Sequence, residues 1–375
     1  MQAKFIQVVA NGDPGGGTTA VLTLATMLHA TGATVIIVSQ SGSYILSAAN
    51  KAGLYTIGFD FSSRSAAIRT LSDIADLMRR ERPAAIHAHG SRAGLPVALA
   101  CRLIRAHRWT KFIYTVHGFH FVPKPLVTKF LGRLVEKFCI KTAAWTNFVS
   151  QGDKCIAAEN GLLFAEQRTS VIPNAVLAHD IPPPTDQPFD IIFLGRLTYQ
   201  KNPLILSDVI QAMAPLKPSV HVVGGGELEA ALRAKVDDAG LRSQFTFHGQ
   251  QDRAAALRIA VRCKVLVLPS RWEGHPITLI EAMHLGLPVV ASRVSGSSEI
   301  VLEGKTGYLV GAEDIAGYAN ALAILLKDSS ALQRFGMAAR QEAAQRFSAD
   351  RMLAANLAVY HGTVGISRGA ATGIA

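Results

Sequence analysis

The sequence contains few cysteines, and none of them are spaced as a pair. Cys101, Cys139, Cys155 and Cys263 lie far apart, which excludes a disulfide framework and a structural zinc site of the usual spacing. We therefore expect a reduced, cytosolic protein. Residues 1–20 lack a basic start followed by an apolar stretch, and no run reaches the roughly 18–20 apolar residues that cross a bilayer. We expect neither a signal peptide nor a membrane-spanning segment.

Two ligand motifs are incomplete in the stretch "NGDPGGGTTAVLTLA", residues 11–25. Gly15, Gly17 and Ala20 fit the dinucleotide fingerprint, but Ser39 and Gln40 stand where an acidic ribose ligand is needed. No Lys-Ser/Thr follows the glycines, so a P-loop is not indicated either. The glycines still allow a ligand to approach the backbone and a helix start, and the alternative is a tight turn without a ligand.

Acidic residues are scarce in the first half of the chain. Residues 1–180 hold 19 Lys plus Arg against 10 Asp plus Glu, and the remainder holds 19 against 17, so +9 of the net +11 lies in the first half. This half is expected to attract anions. Phosphorylated substrates, anionic lipid and nucleic acid all fit that charge.

Short apolar runs alternate with helical stretches along the whole chain of 375 residues, which predicts an α/β fold with parallel strands covered on both faces. The segment "IPPPTDQPF", residues 181–189, interrupts the alternation because consecutive prolines continue neither a helix nor a central strand. We predict two Rossmann-like, doubly wound domains at 1–180 and 190–362. Residues 181–189 form the linker, and residues 363–375 form a tail that frays.

The segment "PSRWEGHPITLIEAMHLGLPVVAS", residues 269–292, carries the strongest signal. Glu273 falls in a loop after an apolar strand, and Glu281 falls about one turn into a helix in which Pro276 is an early residue. Free N–H groups at the helix start suit a diphosphate, and the second carboxylate can hold ribose hydroxyls. Alternatively, Glu273 caps the helix and Glu281 is solvated, but the apolar surroundings of Glu281 make a lone carboxylate costly.

Three further groups are expected at the carboxyl ends of strands, which face the ligand crevice in open α/β sheets. Arg196 and Lys201 follow the strand "IIFLG" and can bind phosphate, Arg196 through two parallel hydrogen bonds. His117 ends the strand "FIYTV". The alternatives are ordinary surface cations and a structural histidine.

In order and separation, these motifs resemble the retaining glycosyltransferases of family 4, which have the GT-B fold of two Rossmann-like domains facing a cleft. Glu273 to Glu281 resembles the family's E-x7-E motif, and "FLGRLTYQKNP" resembles its diphosphate-binding segment. "VVGGGELEAAL" resembles its G-x-G turn, although Glu227 stands where proline is frequent. "TVHGFHF" is similar to a version found in enzymes of lipid-linked exopolysaccharide assembly.

The resemblance implies a hexosyltransferase that moves a sugar from a nucleotide diphosphate sugar to a saccharide or lipid-linked saccharide acceptor, in cell-surface polysaccharide synthesis. It implies retention of configuration, with the donor phosphate taking the acceptor proton. No metal cofactor is expected, because no Asp-x-Asp sequence occurs. The implied catalytic residues are His117, Arg196, Lys201 and Glu273. The implied donor-binding residues are Gly16, Gly17, Gly225, His275, Pro276, Ile277, Thr278 and Glu281.

A basic helix is predicted in "KPLVTKFLGRLVEKFCIKTAAW". Four cations recur every four residues, with an apolar side opposite and Glu136 as the only relieving acid; the cations are Lys129, Arg133, Lys137 and Lys141. Such a row indicates an anionic partner, and the alternative is a solvated face whose apolar side packs on the core. We expect a cytoplasmic enzyme resting on the anionic inner face of the membrane. Nucleic acid is not expected, because interleaved aromatics and a known binding motif are missing.

Two other enzyme classes stay open on sequence grounds. His87 and His89 point to one face of a strand and, with His117 and His120, could hold the metal of a hydrolase. The second half supplies no further ligands in a comparable setting. A sugar-nucleotide epimerase of the GT-B fold is the other alternative.

Overall fold

The computed structural model describes residues 3–62, 67–119 and 126–362. Seven parallel strands form the first sheet in the order β3-β2-β1-β4-β5-β6-β7. The strands are β1 Lys4–Val9, β2 Thr34–Gln40, β3 Tyr55–Phe59, β4 Ala85–His89, β5 Lys111–Val116, β6 Trp145–Phe148 and β7 Thr169–Val171. The helices between them are α1 Gly16–Ala30, α2 Tyr44–Lys51, α3 Ala67–Glu81, α4 Ser91–Leu103, α5 Leu126–Thr142 and α6 Gln151–Glu159. We call these elements the first unit.

Six parallel strands form the second sheet in the order β10-β9-β8-β11-β12-β13. The strands are β8 Phe189–Leu194, β9 Val220–Val223, β10 Phe245–Gly249, β11 Cys263–Leu268, β12 Val289–Ser292 and β13 Gly307–Val310. The helices that follow β8 are α7 Ile205–Ala212, α8 Glu229–Asp238, α9 Arg253–Ala260, α10 Ile277–Leu285, α11 Ser295–Ile300, α12 Ile315–Lys327, α13 Ser329–Arg346 and α14 Ala349–His361. The elements from β8 to α13 are the second unit.

Both sheets are doubly wound, as predicted. Their central strands contain continuous apolar runs buried on both faces, such as "VIIV" in β2 and "VLVL" in β11, which is typical of parallel strands covered by helices. The strand order reverses between β1 and β4 in the first sheet and between β8 and β11 in the second. In open α/β sheets, ligands bind at the carboxyl ends of strands at such a reversal. The fold therefore points to the loops after β1, β4, β8 and β11.

The last helix, α14, returns to the first unit. Met352, Val359 and Tyr360 of α14 are buried in one cluster with Phe5 and Ile37 of the first sheet, and the rings of Phe5 and Tyr360 stack with centroids 4.8 Å apart. The sequence pattern assigned residues 190–362 to one domain, and it did not show this return because periodicity gives no long-range partner. The predicted tail, residues 363–375, lies outside the described residues.

Candidate active site

The amino end of α10 faces the glycine loop of the first unit. Helix α10 begins at Ile277, and Pro276 is the extended residue just before it. A Cβ atom built on Gly16 would lie 3.7 Å from Ile277 Cβ, and Ala20 of α1 is buried in the core cluster of the second unit. The helix start, with its free N–H groups, is therefore next to the amino end of α1, where Gly16 and Gly17 lie. Thr278, in the same first turn, is half-buried.

A second contact joins the loop after β5 to the loop after β11. Gly118 has a φ of +91°, and a Cβ atom built on Gly274 would lie 3.1 Å from Gly118 N. His117 and Glu273 are the chain neighbours of these two glycines. The fold thus brings a predicted catalytic residue of each unit to the same place.

Glu273 and Lys201 form an ion pair. Lys201 Nζ lies 2.5 Å from Glu273 Oε1, and both side chains are largely buried. Lys201 ends a short 3₁₀ turn, Tyr199–Lys201, after β8. The turn is attached to the glycine segment after β9, because Leu197 N donates to Gly225 O at 2.8 Å. Arg196 lies between β8 and this turn, with an exposed side chain.

The glycine segment after β9 owes its composition to packing. Gly224 has a φ of +137° and Gly226 a φ of +151°. A Cβ atom on Gly224 would lie 1.9 Å from Gly195 O, and one on Gly226 would lie 2.5 Å from Leu197 O. Gly225 has no such clash, since the nearest atom to its Cβ position is 3.6 Å away. Gly224 and Gly226 are therefore needed to let the cation-bearing turn approach, whereas Gly225 contributes its carbonyl.

Glu281 has a partner that the sequence did not reveal. Arg253, the first residue of α9, donates from Nε to Glu281 Oε1 at 2.6 Å and from Nη1 to Asp180 Oδ2 at 2.5 Å. Burial raises the pKa of Glu281, and the Arg253 charge opposes this rise. Our expectations that Glu281 is either ligand-bound or solvated are both incomplete, because an ion pair already offsets part of the burial cost.

Arg253 also has a buried guanidinium nitrogen, Nη2, with no hydrogen-bond partner among the described residues. Arg253 follows directly after Asp252, whose side chain accepts a hydrogen bond from Ala255 N and caps α9. No spacing in the sequence relates Arg253 to Glu281.

The side chain of His275 belongs to the interior. Its ring packs edge-on against Phe347, with centroids 5.4 Å apart, and burial lowers its pKa to about 3. Asn174 of the segment between the sheets donates from Nδ2 to His275 O at 2.9 Å. The buried ring leaves the backbone of His275 as the part nearer the start of α10, and the donor-binding role of His275 stays a prediction.

The histidines of β4 are committed to hydrogen bonds. Both ring nitrogens of His87 have partners, Tyr360 Oη at 2.7 Å and Thr115 Oγ1 at 2.6 Å. His89 is hydrogen-bonded to Gln7 and to His117. In the part of the chain that the structure describes, no group of three or more His, Cys, Asp or Glu could hold a metal ion, and His120 lies outside that part. The metal-hydrolase alternative is unsupported.

Asp153 is a buried carboxyl group beside the contact between the two loops. It lies in the first turn of α6, where its backbone N donates to Ser150 Oγ at 3.0 Å, and its Oδ2 would be 3.2 Å from a Cβ on Gly274. Burial raises the pKa of Asp153 to about 7, and the negative charge of Glu299 adds to the rise. Glu299, from α11 of the second unit, accepts hydrogen bonds from Gln151 N and Gly152 N at the same helix end.

Helix α5 exposes most of its apolar side, which the alternative interpretation packed on the core, while Val135 and Phe138 do pack against the core of the first unit. Val127 is 73% exposed and Phe130 62%, and Leu131 and Leu134 are exposed as well. The buried face instead contains Cys139, Ile140 and Glu136. Tyr114 Oη donates to Glu136 Oε2 at 2.6 Å. The sequence suggested that Glu136 reduces the repulsion within the row of cations, but its carboxylate points into the core instead.

Of the four cations on α5, Lys129 is half-buried, whereas Arg133, Lys137 and Lys141 are exposed. Lys137 and Lys141 both place Nζ 5.7 Å from the ring centre of Phe164. No helix within the described residues is long and apolar enough to cross a membrane.

The two Rossmann-like units meet at strand ends that carry glycine turns, two cations, Glu273 and the start of α10. This arrangement defines a glycosyltransferase of the GT-B fold. Residues 14–178 match the family model "Glycosyltransferase Family 4", and residues 178–342 match "Glycosyl transferases group 1". The chain belongs to the glycosyltransferases that these two models describe. The family and the enzyme class expected from the motifs are thereby confirmed.

The chain is similar in sequence to several enzymes of known activity. The chain is 28% identical over 280 residues to UDP-Gal:alpha-D-GlcNAc-diphosphoundecaprenol alpha-1,3-galactosyltransferase of Escherichia coli, covering 70% of this chain and 71% of that enzyme. It is 27% identical over 245 residues to the lipopolysaccharide core biosynthesis mannosyltransferase LpsB of Rhizobium meliloti (strain 1021), covering 58% and 68%. The glycogen synthase of Mycobacterium tuberculosis (strain CDC 1551 / Oshkosh) is 30% identical over 182 residues, covering 47% and 43%.

Solved structures share the whole fold. Anabaena Alr3699/HepE in complex with UDP and glucose matches with a TM-score of 0.83 and 19% identity, over 97% of this chain and 100% of that chain. The lipopolysaccharide outer core galactosyltransferase WaaB, in its apo form, matches with a TM-score of 0.70 and 18% identity, over 97% and 100%. These matches confirm the predicted GT-B architecture.

Proposed function

We propose that this glycosyltransferase moves a hexose from a nucleotide diphosphate sugar to a saccharide carried on a lipid, with retention of the anomeric configuration. The observation that carries the proposal is the convergence of the α10 start, the Lys201–Glu273 pair and the His117 loop where the loops after β5 and β11 meet. Alr3699/HepE has been solved with UDP and with UDP-glucose, so UDP-hexoses are the first donors to test. The name of the Escherichia coli relative indicates a lipid diphosphate acceptor.

The leaving diphosphate is the group that most needs stabilisation, because negative charge grows on it as the anomeric C–O bond breaks. The N–H groups at the start of α10 and the cations Arg196 and Lys201 supply fixed positive charge for it. Lys201 has three N–H donors, so it can hold Glu273 and still donate to phosphate. We infer that these groups replace a metal ion.

Glu273, fixed by Lys201, is assigned to the hydroxyls of the donor sugar, and Glu281 is assigned to the ribose. Arg253 occupies Oε1 of Glu281 and leaves Oε2 to accept from ribose. His117 is assigned to a hydroxyl of the transferred sugar. In the retaining step, the acceptor oxygen bonds to the anomeric carbon on the face that the diphosphate leaves, and the acceptor proton passes to the leaving phosphate oxygen.

The exposed apolar side of α5 supports a peripheral location on an anionic bilayer. Apolar side chains flanked by cations on the same exposed surface are typical of helices that lie in the membrane interface. Arg133 and Lys137 would contact anionic headgroups while Phe130 and Leu131 enter the acyl boundary. This location would bring the crevice to a lipid-linked acceptor.

A ligand panel tests the donor assignment. Thermal shifts are measured with UDP-, GDP- and ADP-sugars, with NAD as the negative comparison and Glu281→Ala as the matched variant. We expect stabilisation of the wild-type protein by one nucleotide class and none of the variant. Transfer from that donor to a lipid-linked saccharide is then followed, and the anomeric configuration of the product is read by NMR. Stabilisation by NAD alone, or an inverted product, would contradict the proposal. Conversion of the donor to its epimer without acceptor would favour the epimerase alternative.

Vesicle sedimentation tests the membrane assignment. Phosphatidylglycerol vesicles are compared with phosphatidylcholine vesicles, using the wild type, a Lys129→Gln/Arg133→Gln/Lys137→Gln variant and a Phe130→Ser/Leu131→Ser variant. We expect binding to the anionic vesicles only, weakened in both variants. Equal sedimentation of all three proteins would remove this part of the proposal.

A further inference from the structure

A line of largely buried hydrogen bonds runs from helix α14 to His117. Gln7 Nε2 lies 3.0 Å from Tyr360 Oη, and Gln7 Oε1 lies 2.8 Å from His89 Nε2. His89 Nδ1 lies 3.0 Å from His117 Nε2. These hydrogen bonds therefore connect α14, β1, β4 and the loop after β5.

The orientation of the Gln7 amide determines which group donates and which accepts in each hydrogen bond between Gln7 and His117. Gln7 Nε2 donates to Tyr360 Oη, and Gln7 Oε1 accepts from His89 Nε2. Burial lowers the pKa of His89 well below its usual value, so its ring is neutral and carries only one N–H group. Because that N–H is on Nε2, His89 Nδ1 must accept, and His117 Nε2 must donate to it.

The other branch of the line follows the same order. Tyr360 Oη accepts from Gln7, and we assign its own proton to the 2.7 Å hydrogen bond with His87 Nδ1. Burial lowers the pKa of His87 to about 3, so this ring is neutral too, and its Nε2–H donates to Thr115 Oγ1 at 2.6 Å. Tyr360 Oη is thus the only group in this line that joins the two branches.

We propose that Tyr360 is a positioning residue for His117: by fixing the Gln7 amide, it fixes the proton of His117 on Nε2 and holds the orientation of the ring. Its importance for catalysis rests on the proposed role of His117 in the transfer reaction. Tyr360 is three hydrogen bonds away from His117 and acts on it through Gln7 and His89. A helix at the end of the chain would in this way control a side chain at the crevice.

The first experiment measures the His117 tautomer without any substrate. Protein labelled with ¹⁵N-histidine is compared as wild type and Tyr360→Phe, and the His117 signals are identified by their loss in His117→Gln. Phenylalanine keeps the ring that stacks on Phe5 but leaves Gln7 without the hydroxyl that fixes its amide. We expect Nε2-protonated His117 in the wild type and a mixture of tautomers in the variant.

The matched control is Tyr318→Phe. This substitution removes another buried hydroxyl, which lies 3.0 Å from Ser292 Oγ in the second unit, and it should leave the His117 signals unchanged. Gln7→Leu breaks the same line from β1 and should reproduce the effect of Tyr360→Phe, which provides a second variant if the first does not fold. Unchanged His117 signals in both line variants, or an equal change in Tyr318→Phe, would overturn the proposal whether or not transfer activity is found.

The second experiment uses a double-mutant cycle on kcat for transfer. A misplaced catalytic group costs up to about a hundredfold, and we expect Tyr360→Phe to lower kcat about tenfold while the Kd for the donor nucleotide stays within about twofold. In the His117→Ala background the same substitution should have no further effect. Additive losses would show a merely structural role and overturn the proposal. No transfer by the wild type would instead count against the proposed function.

Discussion

Replacing Asp153 with asparagine should make the protein more stable at neutral and alkaline pH. Burial raises the pKa of this carboxyl from 3.8 to about 7 in the folded protein. Below pH 3.8 the carboxyl is neutral in both the folded and unfolded states and costs nothing. As the pH rises to about 7, only the unfolded state loses its proton, so the free energy of unfolding falls by about 1.4 kcal/mol per pH unit.

The magnitude follows from these two values. The span of about three pH units gives a total loss of about 4 kcal/mol, complete above pH 7. About 2 kcal/mol of it falls between about pH 5.5 and about pH 8. An unfolding entropy of about 2.1 cal/mol/K per residue gives about 0.8 kcal/mol/K for this chain, so the pH-dependent part corresponds to about 2–3 °C in Tm.

Scanning calorimetry of the wild type and Asp153→Asn at both pH values provides the assay, because the difference between the two proteins cancels the titration of other groups. The advantage of the variant should be about 2–3 °C larger at about pH 8 than at about pH 5.5. Asp186→Asn, which changes an exposed carboxyl of the linker, should show no such pH dependence. Parallel pH profiles for the wild type and Asp153→Asn would refute the reasoning, since a carboxyl that ionises freely has no such cost.

Three further outcomes are expected. Arg253→Met should lower the free energy of unfolding by about 3–5 kcal/mol, because Glu281 is left buried and unpaired. Arg233→Met, at a half-exposed ion pair, should lower it by at most about 1 kcal/mol. Equal losses for the two variants in urea unfolding would contradict the role of Arg253. Lys201→Met should lower kcat at least about a hundredfold and should also lower Tm, because Glu273 is left buried without its partner; kcat is therefore compared at a temperature at which both proteins are folded. Lys235→Met, at a half-exposed pair, should leave kcat unchanged, and a wild-type rate in Lys201→Met would remove Lys201 from the site. Transfer should continue in excess EDTA, and a loss restored only by a divalent ion would contradict the metal-free scheme.

The sequence was sufficient for the architecture because local patterns determine it. Continuous apolar runs bounded by glycine turns predict both parallel sheets, and the order of the runs predicts two doubly wound units. The motif around Glu273 and Glu281 predicted a helix start at a strand end, and α10 begins there. The sequence predicted that His117 and the cations after β8 lie at strand ends that face a ligand crevice, but it did not predict the contact between Gly118 and Gly274.

The partners of buried polar groups could not be predicted, because they depend on which elements become neighbours. Arg253 and Glu281 are separated by 28 residues, and Gln7 and Tyr360 by 353 residues, with no periodic relation in either case. The buried face of helix α5 could not be predicted for a related reason. Its periodicity shows two contrasting sides, but which stripe the fold covers is decided by the rest of the molecule, here by Tyr114 reaching the carboxyl of Glu136.

The return of α14 affects how the protein is made. Residues Ala349–His361 complete the apolar core of a unit whose strands are all synthesised before residue 172. At a ribosomal rate of roughly 5–20 residues per second, that core waits roughly 10–40 s for its last helix. During that interval the nascent chain exposes the surface around Phe5, which is a natural target for chaperones. A truncation at residue 348 would make this transient exposure permanent.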